Sequence, residues 1–522
     1  MSDFQLTYST MFSPPPALHE RFEQALAGVR RGLGATHGLF IGGEWHTRSA
    51  VLDKRDPARL GQSLGSFALA SVEDVQLAVA AARRAAPAWR ATPWPERVAL
   101  LRRAARLVNE RLYEMAAVVS LEVGKTRMEA LGEVAEVAAF FELFARQMED
   151  NAGYDHRLPD DPVPGLHSHN RSVMKPYGVW AVVAPFNFPF ALAAGPTAAA
   201  LVAGNTVVLK SSLVTPWSGL LLAQCLQDAG LPAGAFNCVL GEGESVGQAL
   251  CGHEHVGGIT FTGSYAVGME LLRAQAARAW PRPCIAEMGG KNAAIVSARA
   301  DLDVAAQGIV RSAFGLSGQK CSALSRVYVE RPVAEALMER LQAAVQGLVV
   351  GDPQAAPSWT GPVATRAAQA RHAAAIEALS EDGARTVARG TLPADAAEGC
   401  YCAPVVIEAP LEHPLWSREL FSPLLMLARV DGLQQAMDLC NASDFGLTAG
   451  FFGAEDETDW FFDHIEAGVT YANRPLGATT GAWPGYQPFG GWKGSGSTGK
   501  ALASFHYLPQ YMREQSQTRV PR

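Results

Sequence analysis

Val179-Trp180-Ala181-Val182-Val183 opens the part of the chain whose reading decides the fold. An unbroken apolar run of this length reads as a strand buried on both faces. A helix pattern follows, then a strand over 206–209, a helix over 218–229 and a strand over 236–240. A helix over 245–251, a strand over 258–261 and another helix from Ser264 continue the alternation. Apolar strands separated by helices predict a parallel sheet covered on both faces. The stretch 179–203 is apolar enough to be weighed as a membrane span. Pro185, Pro189 and Pro196 interrupt it and Asn187 sits inside it, so strand, loop and buried helix is the better reading.

A second alternating region runs from Ala293 to about Ala472, with strands near 293–296, 326–329, 405–407 and 424–429. Upstream, 71–147 reads as long helices. Ser71 with Glu73 and Asp74 makes a helix start, and Pro93, Pro95 and Gly124 mark breaks. The polar, Pro-rich segment 151–174 is an exposed loop or a protruding hairpin. Gly42 and Gly43 signal a turn between Leu39-Phe40-Ile41 and Trp45. Residues 1–36 read as peripheral: Ser13-Pro14-Pro15-Pro16 breaks structure, and a helix pattern covers 17–33.

A chain of 522 residues is too long for one core, so two or three domains are expected. The formal charge of −7, with no basic stripe, argues against a nucleic-acid partner. The N-terminus carries no basic, apolar leader pattern. Eight cysteines are scattered, and only Cys400 and Cys402 are close, without a His or Cys partner. No metal site is expected from that spacing, and reduced thiols of a cytoplasmic protein are the reading.

Gly318-Gln319-Lys320-Cys321-Ser322 carries the first chemistry. A lone cysteine is usually a small buried hydrophobe. Here Gly, Gln, Lys and Ser flank it, predicting an accessible thiol beside a positive charge, the setting of a thiolate nucleophile. Most glutamates are solvated, but Glu287 precedes Gly289 and Gly290 at the end of an apolar stretch. A carboxyl in such a cleft keeps its proton to higher pH and can act as general base toward water. In Pro185-Phe186-Asn187-Phe188-Pro189, Asn187 either caps the next helix or offers a rigid NH2 to an oxyanion. Phe261-Thr262-Gly263-Ser264 is either an ordinary strand-to-helix turn or a set of amides facing a pyrophosphate. Gly241-Glu242-Gly243-Glu244-Ser245-Val246-Gly247 is one residue longer than G-x-G-x-x-G and weak alone. Lys210 closes a strand, either solvated or reaching ribose hydroxyls or a phosphate.

Together these stretches make the chain resemble the aldehyde dehydrogenase superfamily from about Leu39 onward. The matching pieces are Phe-Asn-Phe-Pro at 186–189, Gly-Asn-Thr-Val-Val-Leu-Lys at 204–210, Phe-Thr-Gly-Ser at 261–264 and Glu-Met-Gly-Gly-Lys at 287–291. Gly-Gln-Lys-Cys at 318–321, Glu-Leu-Phe at 419–421 and Pro-Phe-Gly-Gly at 488–491 complete them, in the family's order and at about its spacing. The resemblance implies an α/β fold with a Rossmann-type dinucleotide domain (37–153 and 174–285) and an α/β catalytic domain (286–485). It also implies an oligomerisation hairpin (154–173) packed with the tail 500–522, leaving 1–36 as an N-terminal extension.

By the same resemblance the chain oxidises an aldehyde to a carboxylic acid with NAD, NADP not being excluded. Cys321 attacks the aldehyde carbon, and the Asn187 side chain with the Cys321 N–H stabilises the oxyanion. Hydride leaves for the nicotinamide, and Glu287 activates the water that hydrolyses the thioester. Lys210 matches the ribose-binding Lys, Ser264 beside Gly263 the pyrophosphate contact, and Glu419 and Phe421 the nicotinamide-ribose clamp. Pro185 and Phe186 belong to the same cofactor set. A homodimer or higher homo-oligomer in the cytoplasm is implied, without membrane partner. Leu213 stands where many NAD-dependent members carry a ribose-gripping Glu, and Ser211 and Ser212 are then available to a 2′-phosphate. Ser422 replaces the usual Gly after Glu-Leu-Phe, with little consequence expected.

Cys321-Ser322-Ala323-Leu324-Ser325-Arg326 and the stretch from Thr480 to Gly491 look like the 1-pyrroline-5-carboxylate dehydrogenase branch, which oxidises glutamate γ-semialdehyde. There Ser322, Gly481 and Ala482 would bind the substrate carboxylate and Phe489 its aliphatic part. The longer loop 474–480 and Trp483-Pro484 depart from that branch, which leaves another acid-bearing semialdehyde, or general aldehydes, as alternatives. Glu287 argues against a CoA-acylating enzyme. The intact trio of Cys321, Glu287 and Asn187 argues against a catalytically silent dinucleotide-binding protein.

Overall fold

The computed structural model describes residues 4–12 and 14–521. Residues 1–3 of the N-terminal extension, Ser13 of the expected break and Arg522 of the tail lie outside it.

The alternation predicted from Val179 onward is present. Val179–Val183, Thr206–Ser211 and Phe236–Leu240 lie side by side in parallel. Val256–Gly263 and Cys284–Met288 add in parallel on the other flank of Val179–Val183. Strand order therefore reverses beside Val179–Val183, and the crevice at the carboxyl ends of such a sheet is where ligands bind. The apolar stretch weighed as a membrane span is this strand, a loop and the helix Ala191–Val202, buried at every residue but Leu192. Among the described residues no helix is long and apolar enough to cross a membrane. The turn at Gly42 and Gly43, with φ of +66° and +91°, joins Leu39–Ile41 to Glu44–His46, an antiparallel hairpin on the sheet's edge.

The helices Val72–Ala91, Trp94–Glu110, Leu112–Val123 and Arg127–Asp150 fill the predicted helical region. Ser71 caps the first of them, its hydroxyl accepting from Asp74 N while Asp74 takes the Ser71 N–H at 2.9 Å. Gly124, with φ +86°, ends the third, because only glycine takes that conformation without strain. The helix expected over 245–251 is instead a wide turn, Gly243–Gly247, followed by Gln248–Gly252. Gly247 N reaches back to Glu242 O at 3.1 Å, so the chain is looser there than an α-helix.

The second sheet runs Arg385–Arg389, Val405–Glu408, Leu424–Val430, Leu324–Glu330, Asn292–Val296, Thr448–Phe452, Val469–Ala472. All pair in parallel except the first. Apolar clusters cover both its faces. The sequence pattern did not reveal Arg385–Arg389, an edge strand with charged ends, or the strands after 448. It also left unassigned the hairpin of Val51–Asp56 with Arg59–Ala68. The polar segment after 151 is a hairpin, Asp155–Leu158 with His169–Pro176. Met512–Arg519 pairs along the whole of its second strand.

The extension read as peripheral is not so. Phe22, Leu26 and Val29 of the helix Pro16–Arg31 are buried in the first core. The prolines that broke the pattern hide this, because they separate the helix from the segment ahead of it.

Candidate active site

Cys321 sits in the turn that enters the strand Leu324–Glu330. The backbone before it is held in an uncommon shape: Leu316, Ser317 and Gly318 have φ of +50°, +51° and +69°. Such conformations cost of order 1–3 kcal/mol at each non-glycine residue and persist only where the surroundings impose them. Here Ser317 Oγ donates to Gly361 O at 2.6 Å and its N–H to Thr360 Oγ1 at 3.0 Å. The buried Gln319 accepts from Ala364 N at 2.9 Å and donates to Leu316 O at 3.2 Å. From the other side Asn292 Nδ2 donates to Cys321 O at 2.7 Å and Ala323 O at 2.9 Å. Gly290 allows this approach, since a Cβ there would stand 2.6 Å from Cys321 O.

The expectation that Lys320 lowers the thiol's proton affinity is corrected. Lys320 Nζ donates to Glu129 Oε1 at 2.8 Å, so its charge is spent on that carboxylate. Burial pushes the Cys321 thiol well above its ordinary range, with the charges of Glu287 and Glu419 adding to it. The backbone N–H groups of Ser322 and Cys321 pull the other way. The thiol at rest therefore keeps its proton.

Of the two readings of Asn187, helix cap or amide donor, the geometry removes the first. The amides at the start of the helix Ala191–Val202 go to Glu133, whose Oε1 accepts from Phe190 N at 2.9 Å and Ala191 N at 3.1 Å. Asn187 is buried and its Nδ2 donates to Gln319 O at 2.9 Å. An amide nitrogen has two protons, so one remains for the cavity that Asn187 lines. Glu133 also pairs with the fully buried Lys125 at 2.5 Å, and Lys125 Nζ stands 3.4 Å over the Phe188 ring. Glu133 and Lys125 thus brace the end of the Phe-Asn-Phe-Pro turn and the helix start after it, while Asn187 itself is held by Gln319 O.

Glu287 lies near the carboxyl end of Cys284–Met288. No protein group among those described donates to its carboxyl, and burial alone raises it to about 8. Glu419 behaves differently: its Oε1 accepts from Gly290 N at 2.9 Å, and burial is the leading cause of its upward shift. Gly289, with φ +45°, makes room, because a Cβ there would meet the Glu419 carboxylate at 2.7 Å. Phe421, also at positive φ (+55°), meets Phe186 edge-to-face at 5.8 Å.

Two cavities meet at the thiol. One, of about 530 Å³, lies at the crevice where strand order reverses. It is lined by Pro185, Phe186, Asn187, Lys210, Gly263, Ser264, Glu287, Glu419 and Phe421. Every catalytic and cofactor residue singled out in the sequence is thereby brought to one place, with Gly243 and Gly247 of the wide turn beside them. These residues fit a dinucleotide. Ser264 precedes the helix Tyr265–Ala276 without capping it, so its hydroxyl and the first amides are left for an anion. Lys210 is buried and its proton affinity is lowered by desolvation, as expected of a cation waiting in a cleft. Of the two serines weighed for a 2′-phosphate, only Ser212 reaches this cavity. Ser211 is buried with its hydroxyl 3.7 Å from the Cys238 sulfur, because the strand alternates its faces.

The other cavity, of about 310 Å³, is lined by Ser322, Gly481, Ala482 and Phe489. Arg474 holds the loop 477–482, donating to Gly477 O at 3.1 Å and Thr480 O at 2.5 Å. Gly481, φ +110°, lets its guanidinium come close. Thr479 Oγ1 donates to Ser322 O at 2.7 Å, which ties the loop to the residue next to Cys321. Sequence reasoning missed Glu136, whose carboxyl lines this cavity and is raised by burial to about 8. It also missed Tyr8, Met11 and Phe12. No motif marked Glu136; its one signal is a carboxylate on the apolar face of a buried helix. Among the described residues, Cys321 is the one that lines both cavities.

A family model described as the aldehyde dehydrogenase family matches residues 45–516. The chain is 37% identical over 489 residues to a 1-pyrroline-5-carboxylate dehydrogenase of Bacillus pumilus, covering 92% of each. It superposes on the 1-pyrroline-5-carboxylate dehydrogenase from Thermus with bound NAD at a TM-score of 0.92. That match has 31% identity and covers 100% of this chain and 99% of the other. Proline utilization A from Bdellovibrio bacteriovorus matches at 0.91 and 32% identity, over 96% of this chain and 52% of its own.

Proposed function

The chain belongs to the aldehyde dehydrogenase family, and on that premise we propose that it oxidises L-glutamate γ-semialdehyde, the open form of 1-pyrroline-5-carboxylate, to L-glutamate with NAD. The observation that carries the reading is Cys321, alone among the described residues, at the junction of the two cavities. A nucleophile there can hold an aldehyde carbon from one side while a nicotinamide stands on the other.

The Cys321 sulfur bonds to the aldehyde carbon as its proton passes to solvent water and the carbonyl electron pair moves onto oxygen. The remaining Asn187 N–H and the Cys321 amide face the oxygen that becomes negative. A bound nicotinamide dinucleotide supplies the hydride acceptor. Loss of hydride from the carbon leaves a thioester on Cys321. Glu287 then takes a proton from water, whose oxygen attacks the thioester carbon, and the Cys321 sulfur leaves, taking that proton back from Glu287 as the carboxylic acid departs. Lys210 and Ser264 hold the dinucleotide's ribose and pyrophosphate, with Gly263, Pro185 and Phe186 shaping the cleft. Glu419 and Phe421 set the nicotinamide ribose. Leu213 gives no carboxylate to repel a 2′-phosphate, but Glu244 and Glu270 line the cleft and favour NAD over NADP.

Three features support the substrate. The Bacillus and Thermus relatives carry that activity in their names. The Gly481 and Ala482 amides with Ser322 form a carboxylate receptor backed by Arg474. Glu136 offers an acidic partner for an ammonium in the same cavity, and Phe489 meets the chain between them. The test is the initial rate of cofactor reduction with glutamate γ-semialdehyde beside the carboxylate-free aldehyde of equal length. A strong preference for the acid supports the assignment, and equal rates overturn it.

A further inference from the structure

The N-terminal segment and Trp483 are two features that this chemistry leaves unused, and they touch each other. Tyr8 presents its ring edge-on to Trp483 (centroids 5.3 Å apart, planes at 77°) and to Phe188 (6.2 Å, 86°). Its hydroxyl donates to Glu136 Oε2 at 2.6 Å. The helix Arg127–Asp150 receives the ring at Gly132, where a Cβ would stand 3.1 Å from it. Glycine weakens a helix interior, so its presence there has a packing reason in the ring it admits. The segment is fastened elsewhere too. Arg474 Nη2 donates to Ser9 Oγ at 3.0 Å, and the Arg311 guanidinium lies 4.0 Å over the Phe12 ring. Arg474 also holds the loop 477–482, so the segment and the carboxylate receptor share an anchor.

We propose that Tyr8 is a specificity-determining residue of the substrate cavity: the N-terminal segment forms a fixed wall whose phenol orients the Glu136 carboxyl toward a cationic group on the substrate. This rests on the amino-acid semialdehyde reading given above. The phenol occupies one carboxyl oxygen and leaves the other for an ammonium, so the receptor is set before the substrate arrives. The wall limits solvent around the carboxyl, so an ammonium arriving there draws the raised Glu136 carboxyl into its charged form and the pair attracts in a weakly screened site. An aldehyde without a cation leaves the second oxygen of that buried carboxyl without a partner and is disfavoured.

The test compares the full-length protein, Tyr8→Phe and a variant lacking residues 1–12. The substrates are glutamate γ-semialdehyde and 5-oxopentanoate, which keeps the carboxylate and loses the amine. Tyr8→Phe is expected to raise KM for the amino-acid semialdehyde about tenfold while moving that for 5-oxopentanoate by less than about twofold. Equal shifts for both substrates, or none, overturn the role of Tyr8. A second arm uses no substrate: iodoacetamide should alkylate Cys321 at least about tenfold faster in the truncated protein, since the wall shields that cavity. Retained dinucleotide binding controls for folding, and an unchanged alkylation rate overturns the wall. Lack of preference between the two aldehydes in the full-length protein would instead sink the substrate reading, leaving the alkylation arm to judge the wall by itself.

Discussion

At Cys321 the decisive fact is that the thiol proposed as nucleophile sits among groups that raise its proton affinity. Cys321→Ala should abolish oxidation and leave dinucleotide binding, followed by fluorescence titration, intact; retained turnover would refute the thioester mechanism. Glu287 is raised to about 8 by burial, so below that pH it is mostly protonated and cannot accept a proton from water. The hydrolysis step should therefore speed up as pH rises toward 8, falling about tenfold per pH unit well below it. Glu287→Gln should remove that limb and slow hydrolysis while a burst of reduced cofactor persists in stopped flow. A vanished burst would mean that Glu287 acts before the first hydride transfer. The Asn187 amide has one proton on Gln319 O and one unspent. Asn187→Ala should lower kcat about 10²–10³-fold in steady-state assays, the usual loss for one oxyanion donor.

Among the elements, the helix Arg127–Asp150 does more than its amphipathic pattern announces. From it Glu133 supplies the acceptor for two helix amides and the partner of buried Lys125, and Glu136 and Gly132 face the substrate cavity and Tyr8. Glu133→Ala would strand a buried ammonium and two amides. It should cost about 3–5 kcal/mol, the range for breaking a buried pair, read as a lower denaturation midpoint in urea. An unchanged midpoint would mean that water or another acid takes its place. The loop 474–480, which looked merely long in the sequence, carries the arginine that fixes the backbone proposed above to receive the substrate carboxylate.

In the whole molecule, the hairpin Asp155–Leu158 with His169–Pro176 and the strand Met512–Arg519 form a small sheet of mostly exposed residues. Both of its outer strands have an edge free to pair within the chain as described, and such an edge calls for a partner or for charge to protect it. We expect it to join copies of this chain. Deleting 512–522 should shift the sedimentation coefficient to that of the monomer; an unchanged assembly would move the interface elsewhere.

The family and the alternating α/β architecture were legible because they are written locally. Apolar runs, turn glycines and short motifs such as 318–321 and 287–291 depend on neighbours a few residues away. The residues of the dinucleotide crevice were nameable for the same reason: Lys210, Gly263, Ser264 and Glu287 lie at strand ends or a helix start, and Glu419 and Phe421 in a short motif. What the tertiary structure alone decided is how those groups are charged and what surrounds them. Lys320 was expected to activate Cys321 and is paired with Glu129, far away in sequence. The helix cap assigned as one option to Asn187 is made by Glu133, again from another element. Glu136 and Tyr8 carry no motif, and only folding brings residues 8, 136 and 483 around one cavity. Desolvation and pairing are sums over everything nearby in space, and a linear sequence records neighbours along the chain only.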